Sequence, residues 1–138
     1  MVTRRNLLTA IASAASVVVA APVFAKAPGF LRGAGDIRKI RFRNFNTGEF
    51  INSVYWIEGS YVDGALQEIN YFMRDWRQNK ERAYDPANID ILSATQGLLD
   101  SSEPFYLLSG YRTRKTNKML SRMTDGVAQN SYHVKAMA

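Results

Sequence analysis

Residues 37–57 read IRKIRFRNFNTGEFINSVYWI, and this stretch decides the fold. Apolar and basic residues alternate from Ile37 to Asn46, and this period of two, rich in β-formers, predicts a half-buried strand. A second strand is predicted from Phe50 to Ile57, and Thr47-Gly48-Glu49 between the two is typical of a tight turn. The sequence therefore predicts a β-hairpin whose first strand turns its apolar side chains toward a core.

Helices and short strands are predicted after the hairpin. Apolar residues recur at helical spacing from Val62 to Gln78, where Asp63 is expected to be the N-cap. Asp85-Pro86 predicts the start of a second helix, which reaches Leu99, because aspartate caps helices and proline suits their first position. The remaining predicted elements are a strand from Phe105 to Leu108, a helix from Arg112 or Thr113 to Met123, and the beginning of a strand from Val134 to Ala138. The predicted fold class is α+β: a hairpin, then helices, then short strands that carry the polar residues of interest.

Several charged and aromatic residues are interpreted as structural. The basic residues of the first strand are expected on a solvated strand face, the alternative being contact with anionic cell-wall polymers or nucleic acid. The aromatic residues of the hairpin and first helix are expected in the core rather than on a sugar-stacking platform. Asp75 is expected to pair with Arg74 and Arg77 on a helix surface. The basic set comprises Arg38, Lys39, Arg41 and Arg43, and the aromatic set Trp56, Tyr61, Phe72 and Trp76.

The N-terminus, residues 1–25, has the pattern of an export signal. Arg4-Arg5 precedes an uncharged, alanine-rich stretch, and Val23-Phe24-Ala25 offers the small-x-small pattern at which signal peptidase cuts. The adjacent arginines are similar to a twin-arginine signal, although paired basic residues also begin ordinary secretory signals. An uncleaved membrane anchor is the alternative, but the apolar stretch is short for a span. The sequence predicts a periplasmic protein with a flexible lead-in over residues 26–36.

Composition limits the remaining 113 residues, 26–138, to one small domain. The chain has 18 basic and 12 acidic residues, a net charge of +6, and cleavage after Ala25 would remove two of the basic ones. This mild excess does not demand a nucleic-acid partner. There is no cysteine, so disulfides cannot stabilise the domain in an oxidising compartment. After the signal, no segment is apolar enough to predict a membrane span.

Two residues near the C-terminus could take part in chemistry. His133 is the single histidine of the chain, and a neutral imidazole is a favoured zinc ligand, although a lone histidine is more typical of a surface or hydrogen-bonded residue. Arg112 follows a predicted strand, and its planar guanidinium suits a substrate carboxylate or a developing oxyanion. Its alternative roles are capping the strand end or pairing with Asp125. Asn117 could orient a nearby loop or face solvent.

These residues belong to a set of motifs whose order and spacing resemble a known family. The motifs are Asn46-Thr47-Gly48-Glu49, Tyr55-Trp56-x-x-Gly59-x-Tyr61, residues 69–77 (INYFMRDWR), Ser109-Gly110-Tyr111-Arg112 with Thr116-Asn117, and Val127-Ala128-x-Asn130-Ser131-x-His133. Over most of residues 38–138 the chain resembles the bacterial zinc murein endopeptidases of the D-alanyl-D-alanine carboxypeptidase superfamily, of the murein endopeptidase K type. The resemblance implies a hedgehog-like α+β zinc-peptidase fold, built around a small antiparallel sheet with flanking helices.

The resemblance also implies roles for individual residues. His133 would be the first Zn²⁺ ligand, and Arg112 a catalytic residue that binds or polarises the peptide substrate. Tyr111, Asn117 and Ser131 would contact the substrate. The reaction would be hydrolysis of a peptide bond in a peptidoglycan cross-link, by water that the zinc ion activates. Whether it is an endopeptidase or a carboxypeptidase reaction stays open.

The chain departs from the family pattern at its C-terminal end. The family usually has glycine where this chain has Ala136, which would crowd the predicted strand. The second ligand (an aspartate), the third (a histidine) and the acid/base residue would all lie after Ala138. Residues 37–138 are therefore expected to be the N-terminal and central part of a zinc-peptidase domain, an inactive fragment that binds zinc weakly or not at all. The competing hypothesis is a non-catalytic exported domain that binds cell-wall material through its basic strand.

Overall fold

The computed structural model describes residues 36–138. The predicted signal peptide and all but the last residue of the predicted lead-in lie outside the described residues. The described elements, in chain order, are β1 (Ile37–Asn44), β2 (Phe50–Ile57), β3 (Ser60–Tyr61), α1 (Asp63–Phe72), α2 (Pro86–Leu98), β4 (Phe105–Leu107), α3 (Arg114–Met123) and a short 3-10 helix, Tyr132–Lys135. This arrangement confirms the predicted α+β class. None of the helices in this part of the chain is long and apolar enough to cross a membrane.

The four strands form one sheet in the order β3-β2-β1-β4. The predicted hairpin is confirmed, since β1 and β2 pair antiparallel from Ile37 opposite Ile57 to Arg43 opposite Phe50. β3 extends the antiparallel part on one side. β4 differs from the expected antiparallel sheet because it pairs parallel with β1, placing Phe42 opposite Phe105. A parallel partner requires a long crossover, and α1 and α2 supply it.

The core lies between one face of the sheet and the helices α1 and α2. Ile40 and Phe42 point into it from β1, as the alternation predicts, and both are buried. Ile69 and Phe72 reach the same core from α1, and the rings of Phe42 and Phe72 stack with centroids 5.9 Å apart. Ile89 adds the contribution of α2. The Asp85 cap of α2 is confirmed, because its side chain accepts a hydrogen bond from the Ala87 amide at 2.9 Å.

The first helix is shorter than predicted and begins differently. Its N-cap is Val62 and has no side-chain cap, so the expected role of Asp63 is wrong. The helix ends at Phe72 rather than at Gln78. The Met73 carbonyl then accepts a hydrogen bond from the Tyr111 amide at 2.8 Å. Trp76 therefore lies after the end of α1. It was expected in the core, but it is 39% exposed.

Arg38 does not lie on a solvated face, which corrects the prediction for the basic cluster. It lies on the same face of β1 as Ile40 and Phe42, and it is buried. Its Nη1 donates to Asp90 Oδ1 at 2.9 Å, and its guanidinium lies 4.3 Å from the centre of the Trp56 ring. Lys39 and Arg43 are exposed, as expected. The carboxylate of Asp90 also accepts hydrogen bonds from the hydroxyls of Tyr55 at 2.9 Å and Tyr61 at 2.7 Å.

The last segment is not the strand that its sequence suggested. Tyr132–Lys135 forms the 3-10 helix, and Ala136 follows with φ 56° and ψ 44°, in the left-handed region. Ala136 is buried. Alanine is therefore strained by its backbone conformation here, and crowding of a strand does not arise.

The mutation Ala136→Gly is expected to stabilise the protein slightly. The left-handed conformation costs a non-glycine residue about 1–2 kcal/mol, whereas burying one methyl group contributes about 0.8 kcal/mol. The strain exceeds the burial, but glycine also costs about 0.5–1 kcal/mol in backbone entropy, so the melting temperature should rise by a few degrees at most. The matched control is Ala94→Gly inside α2, which should lower the melting temperature, because glycine costs about 0.5–1 kcal/mol in a helix interior. If both substitutions destabilised the protein equally, Ala136 would not be strained by its backbone conformation.

Candidate metal and substrate site

The turn Ser109–Thr113 carries one half of the site, between β4 and α3. Gly110 packs directly on the backbone of Met73, at the end of α1. A Cβ at position 110 would collide with Met73 O and lie 2.9 Å from the Met73 carbonyl carbon, so only glycine fits. Thr113 is the N-cap of α3, where its hydroxyl accepts a hydrogen bond from the Thr116 amide at 3.1 Å. The turn is therefore fixed at its middle and at its end.

Asp75 holds this turn from the opposite side. Its Oδ2 accepts hydrogen bonds from both the amide and the hydroxyl of Thr113, each at 2.9 Å, and its Oδ1 accepts from the Arg77 amide at 3.2 Å. The residue is 2% exposed, so the predicted surface ion pair is wrong. Arg74 pairs instead with Glu49, with Nη2 3.0 Å from Oε1. Asp75 therefore supports the turn that carries Arg112, whereas the sequence placed it in an ion pair on a helix surface.

His133 lies against the same turn. The Ser131 side chain caps the 3-10 helix by accepting a hydrogen bond from the His133 amide at 3.3 Å, and the His133 carbonyl accepts one from the Arg112 amide at 3.0 Å. The ring Nδ1 lies 3.1 Å from Gly110 O. A carbonyl oxygen can only accept, so this contact assigns the proton to Nδ1. Nε2 then carries the lone pair, which is the form in which a ring nitrogen can bind a metal ion.

Electrostatics keep this imidazole neutral. Burial lowers the pKa of His133, and the positive charge of Arg112 lowers it further, against the opposing effects of the Gly110 and Ala138 backbone. The neutral form is the one that binds metal ions. A histidine that ligates a metal also commonly donates its second ring N–H to a backbone carbonyl, which fixes the ring. The structure thus gives His133 the tautomer and the charge of a metal ligand.

Arg112 and His133, the two residues that sequence reasoning singled out, lie together. The Arg112 Nε donates to Ser109 Oγ at 2.9 Å, and the side chain is partly buried. Burial lowers the pKa of Arg112, and the neighbouring charge of Arg77 adds to this effect. Over residues 36–138 Arg112 forms no salt bridge, so the alternative pairing with Asp125 is not found.

The three predicted substrate contacts have different surroundings. Asn117 is buried, and its Nδ2 donates to the carbonyls of Ala128 at 3.0 Å and Gln129 at 3.3 Å. Of its two alternatives, orienting the loop before Ser131 is therefore the one the structure supports. Tyr111 packs against the core, and Ser131 caps the 3-10 helix. Their contact with substrate stays a prediction.

The described residues contain one candidate zinc ligand rather than a complete set. Within residues 36–138 no three His, Cys, Asp or Glu side chains are grouped closely enough to hold a metal ion. Since a zinc site needs about three protein ligands, His133 fits the role of one ligand and would need partners from outside this range.

Comparison with known proteins identifies the family that this α+β fold and arginine–histidine arrangement represent. Residues 32–138 match the family model described as peptidoglycan L,D-endopeptidase MepK. The chain belongs to this family of peptidoglycan endopeptidases. No solved structure gave a significant match.

Similar proteins are found in several bacteria. The chain is 40% identical over 101 residues to peptidoglycan L,D-endopeptidase MepK of Escherichia coli (strain K12), and the same values hold for the protein of Shigella flexneri. It is 34% identical over 104 residues to a probable peptidoglycan L,D-endopeptidase MepK of Haemophilus influenzae. These alignments cover 73% of the chain and 56% or 55% of the relatives, so the chain spans about half of their length.

Proposed function

We propose that the protein containing this chain is a zinc-dependent endopeptidase that cleaves peptide cross-links in peptidoglycan. The family, and the peptidoglycan endopeptidases among its relatives, support the substrate class. The observation that carries the proposal is the hydrogen bond from His133 Nδ1 to Gly110 O, because it presents Nε2 as a metal ligand. Further ligands would come from elsewhere in the protein, since residues 36–138 contain no group of three potential ligands.

The residues of this chain have separate tasks in such a reaction. His133 would hold the zinc ion through Nε2, while Gly110 keeps its ring in one orientation. A bound zinc ion supplies Lewis acidity toward the scissile carbonyl and activates water. Arg112 remains charged and would bind a substrate carboxylate or the carbonyl under attack, since guanidinium groups make strong paired hydrogen bonds to oxygen anions. Ser109 holds the Arg112 side chain through Nε.

The test of the proposal is the substitution His133→Ala in the whole protein. Digestion of purified peptidoglycan should fall to background, because the first ligand is lost, and bound zinc measured by elemental analysis should fall with it. Chelation should abolish the activity of the unsubstituted protein in the same way. Lys115→Ala, an exposed change on α3, is the control and should digest normally. Unimpaired digestion by the His133→Ala protein would reject the proposal.

We also propose that the protein acts in the periplasm, where its substrate lies. The support is the export pattern of residues 1–25, with Arg4-Arg5 before the apolar stretch and the cleavage pattern that ends at Ala25. N-terminal sequencing of the protein from a periplasmic extract should then begin at Lys26. A protein that retains residues 1–25 in the membrane fraction would contradict this.

A further inference from the structure

A second arginine lies beside the turn that carries Arg112. The Asp75 carboxylate joins the two segments, because its Oδ1 accepts a hydrogen bond from the Arg77 amide at 3.2 Å and its Oδ2 accepts one from the Thr113 amide at 2.9 Å. The charge of Arg77 also acts on Arg112. Burial lowers the pKa of the Arg112 guanidinium, and the positive charge of Arg77 lowers it further. The two guanidinium groups are therefore close enough to act on one peptide ligand.

This part of the protein carries more positive than negative charge. Over residues 36–138 neither Arg77 nor Arg112 forms a salt bridge. The Asp75 carboxylate does not pair with them directly, since its hydrogen bonds go to backbone amides and threonine hydroxyls. Arg74, by contrast, is paired with Glu49 at 3.0 Å. Two arginines and one carboxylate leave an excess of positive charge, which attracts anionic groups.

The Arg77 guanidinium is exposed, yet the fold gives it a fixed support. It lies 4.2 Å from the centre of the Trp76 ring, in a cation–π contact. Stacking covers one face of the planar group and leaves the N–H donors at its edge accessible. The hydrogen bond to Asp75 uses the backbone N–H of Arg77, so the turn does not depend on the guanidinium. The side chain can therefore be changed without loosening the turn.

Arg112 has a different environment. It is partly buried, its Nε donates to Ser109 Oγ at 2.9 Å, and its backbone amide donates to the His133 carbonyl at 3.0 Å. Its charge is near enough to His133 to lower the pKa of that imidazole. Arg112 thus lies next to the proposed zinc ligand, whereas Arg77 is the more exposed of the two arginines.

We propose that Arg77 is a specificity-determining residue that binds a carboxylate of the peptide substrate, while Arg112 acts on the carbonyl under attack. The inference rests on the proposed function and separates the two roles that Arg112 could have. An exposed planar guanidinium suits a carboxylate that arrives from solvent with the substrate, because it makes paired hydrogen bonds to it. A partly buried one suits the negative charge that develops on the carbonyl oxygen, because such stabilisation is stronger where water is excluded.

The test compares two synthetic cross-linked peptides as substrates of the whole protein, one with free and one with amidated carboxylates. Arg77→Ala should raise KM for the free acid by about tenfold or more, since a charged hydrogen bond is lost, and leave kcat within about twofold. For the amidated peptide the same substitution should change KM by less than about twofold. Arg77→Lys keeps the charge and should recover part of the affinity. Arg112→Ala should lower kcat for both peptides.

Arg122→Ala is the matched control, because Arg122 is exposed in the last turn of α3 and its substitution removes the same charge. It should leave KM for both peptides within about twofold. Thermal unfolding of the Arg77→Ala protein should show a melting temperature lower by no more than a few degrees, since an exposed cation–π contact contributes little. A change in KM would then not come from unfolding.

Three results would overturn the inference. An equal rise in KM for both peptides would remove the carboxylate from recognition by Arg77. An equal rise in the Arg122→Ala protein would indicate non-specific attraction to a basic protein, and a fall in kcat alone would make Arg77 a positioning residue for Arg112.

The inference and the proposed function fail separately. Calorimetric binding of the two peptides to the chelator-treated protein gives the same comparison without turnover. A carboxylate preference that depends on Arg77, together with normal digestion by the His133→Ala protein, would reject the metal proposal alone. Zinc-dependent digestion with equal binding of the free and amidated peptides would reject the role of Arg77 alone.

Discussion

Replacing Gly110 with alanine is expected to destabilise the protein by about 2–3 kcal/mol and to weaken metal binding at His133. The added Cβ would collide with the Met73 backbone, which cannot move aside as a flexible side chain could. The turn must shift, and this breaks the 2.8 Å hydrogen bond from the Tyr111 amide to Met73 O. The same shift moves the Gly110 carbonyl that holds the imidazole. Thermal unfolding should show a decrease of roughly 8–20 °C in melting temperature.

Gly97→Ala is the matched control for this substitution. Gly97 lies within α2, and a Cβ there meets nothing within 4 Å. Alanine in a helix is better than glycine by about 0.5–1 kcal/mol, so this variant should be as stable as the original protein or slightly more stable. Zinc affinity in the whole protein, measured by competition with a chelator, should fall for Gly110→Ala alone. An unchanged melting temperature and zinc affinity of Gly110→Ala would show that Met73 does not position the turn.

The elements that could be predicted from sequence are those that local patterns determine. The alternation around Ile40 and Phe42 and the turn at Thr47–Glu49 are contained in adjacent residues, so the hairpin follows directly from them. Asp85-Pro86 gives a helix start for the same reason. The parallel pairing of β4 with β1 is not a local property, because two helices separate Phe105 from Phe42 along the chain.

Two errors had signals that could have corrected them. Arg38 shares the parity of Ile40 and Phe42, so strict alternation already places it on the buried face, where Asp90 neutralises it. If the family has glycine at position 136, as the resemblance implies, that glycine would have pointed to a left-handed residue, which a strand does not require.

The sequence singled out His133 and Arg112 as candidate residues, but it did not predict the contacts that position them. His133 and Arg112 stand in recognisable motifs, and the structure brings them together. The contact that fixes the His133 ring comes from the backbone of Gly110, 23 positions away, and it cannot be read from the motif around His133. Asp75 is 38 positions from Thr113, so no local pattern links the two residues. Arg74 and Arg77 were the nearer partners on the predicted helix, but that helix ends at Phe72, before Asp75.

Asp75→Asn is expected to destabilise the protein by about 2–4 kcal/mol at pH 7 and to change how stability depends on pH. The amide is uncharged, so the two hydrogen bonds from Thr113 lose their charge assistance. The asparagine oxygen can stay with Thr113, but its NH₂ group then faces the Arg77 amide and cannot accept a hydrogen bond from it. One buried N–H donor is left unpaired. The free energy of unfolding should be measured by urea denaturation from pH 7 to pH 2.

The pKa of the Asp75 carboxyl determines the pH window. Burial raises this pKa, but the hydrogen bonds that the carboxylate accepts, chiefly from Thr116 and Thr113, outweigh burial and lower it below its ordinary value. The folded state therefore favours the charged form. This contribution to stability is complete above the unfolded pKa of about 3.9 and is lost as the pH falls through the lower folded pKa. The stability difference between the original protein and Asp75→Asn should accordingly narrow below about pH 4.

Asp125→Asn provides the control, because Asp125 is exposed and its substitution removes the same charge. It should leave both the stability at pH 7 and the pH profile close to those of the original protein. The functional consequence of Asp75→Asn follows from its position, since Thr113 adjoins Arg112 and a loosened cap lets the guanidinium move. Substrate binding should then weaken, with KM for peptidoglycan fragments rising more than kcat falls. A stability difference that stays constant down to pH 2 would mean that the carboxylate does not hold the turn through its charge.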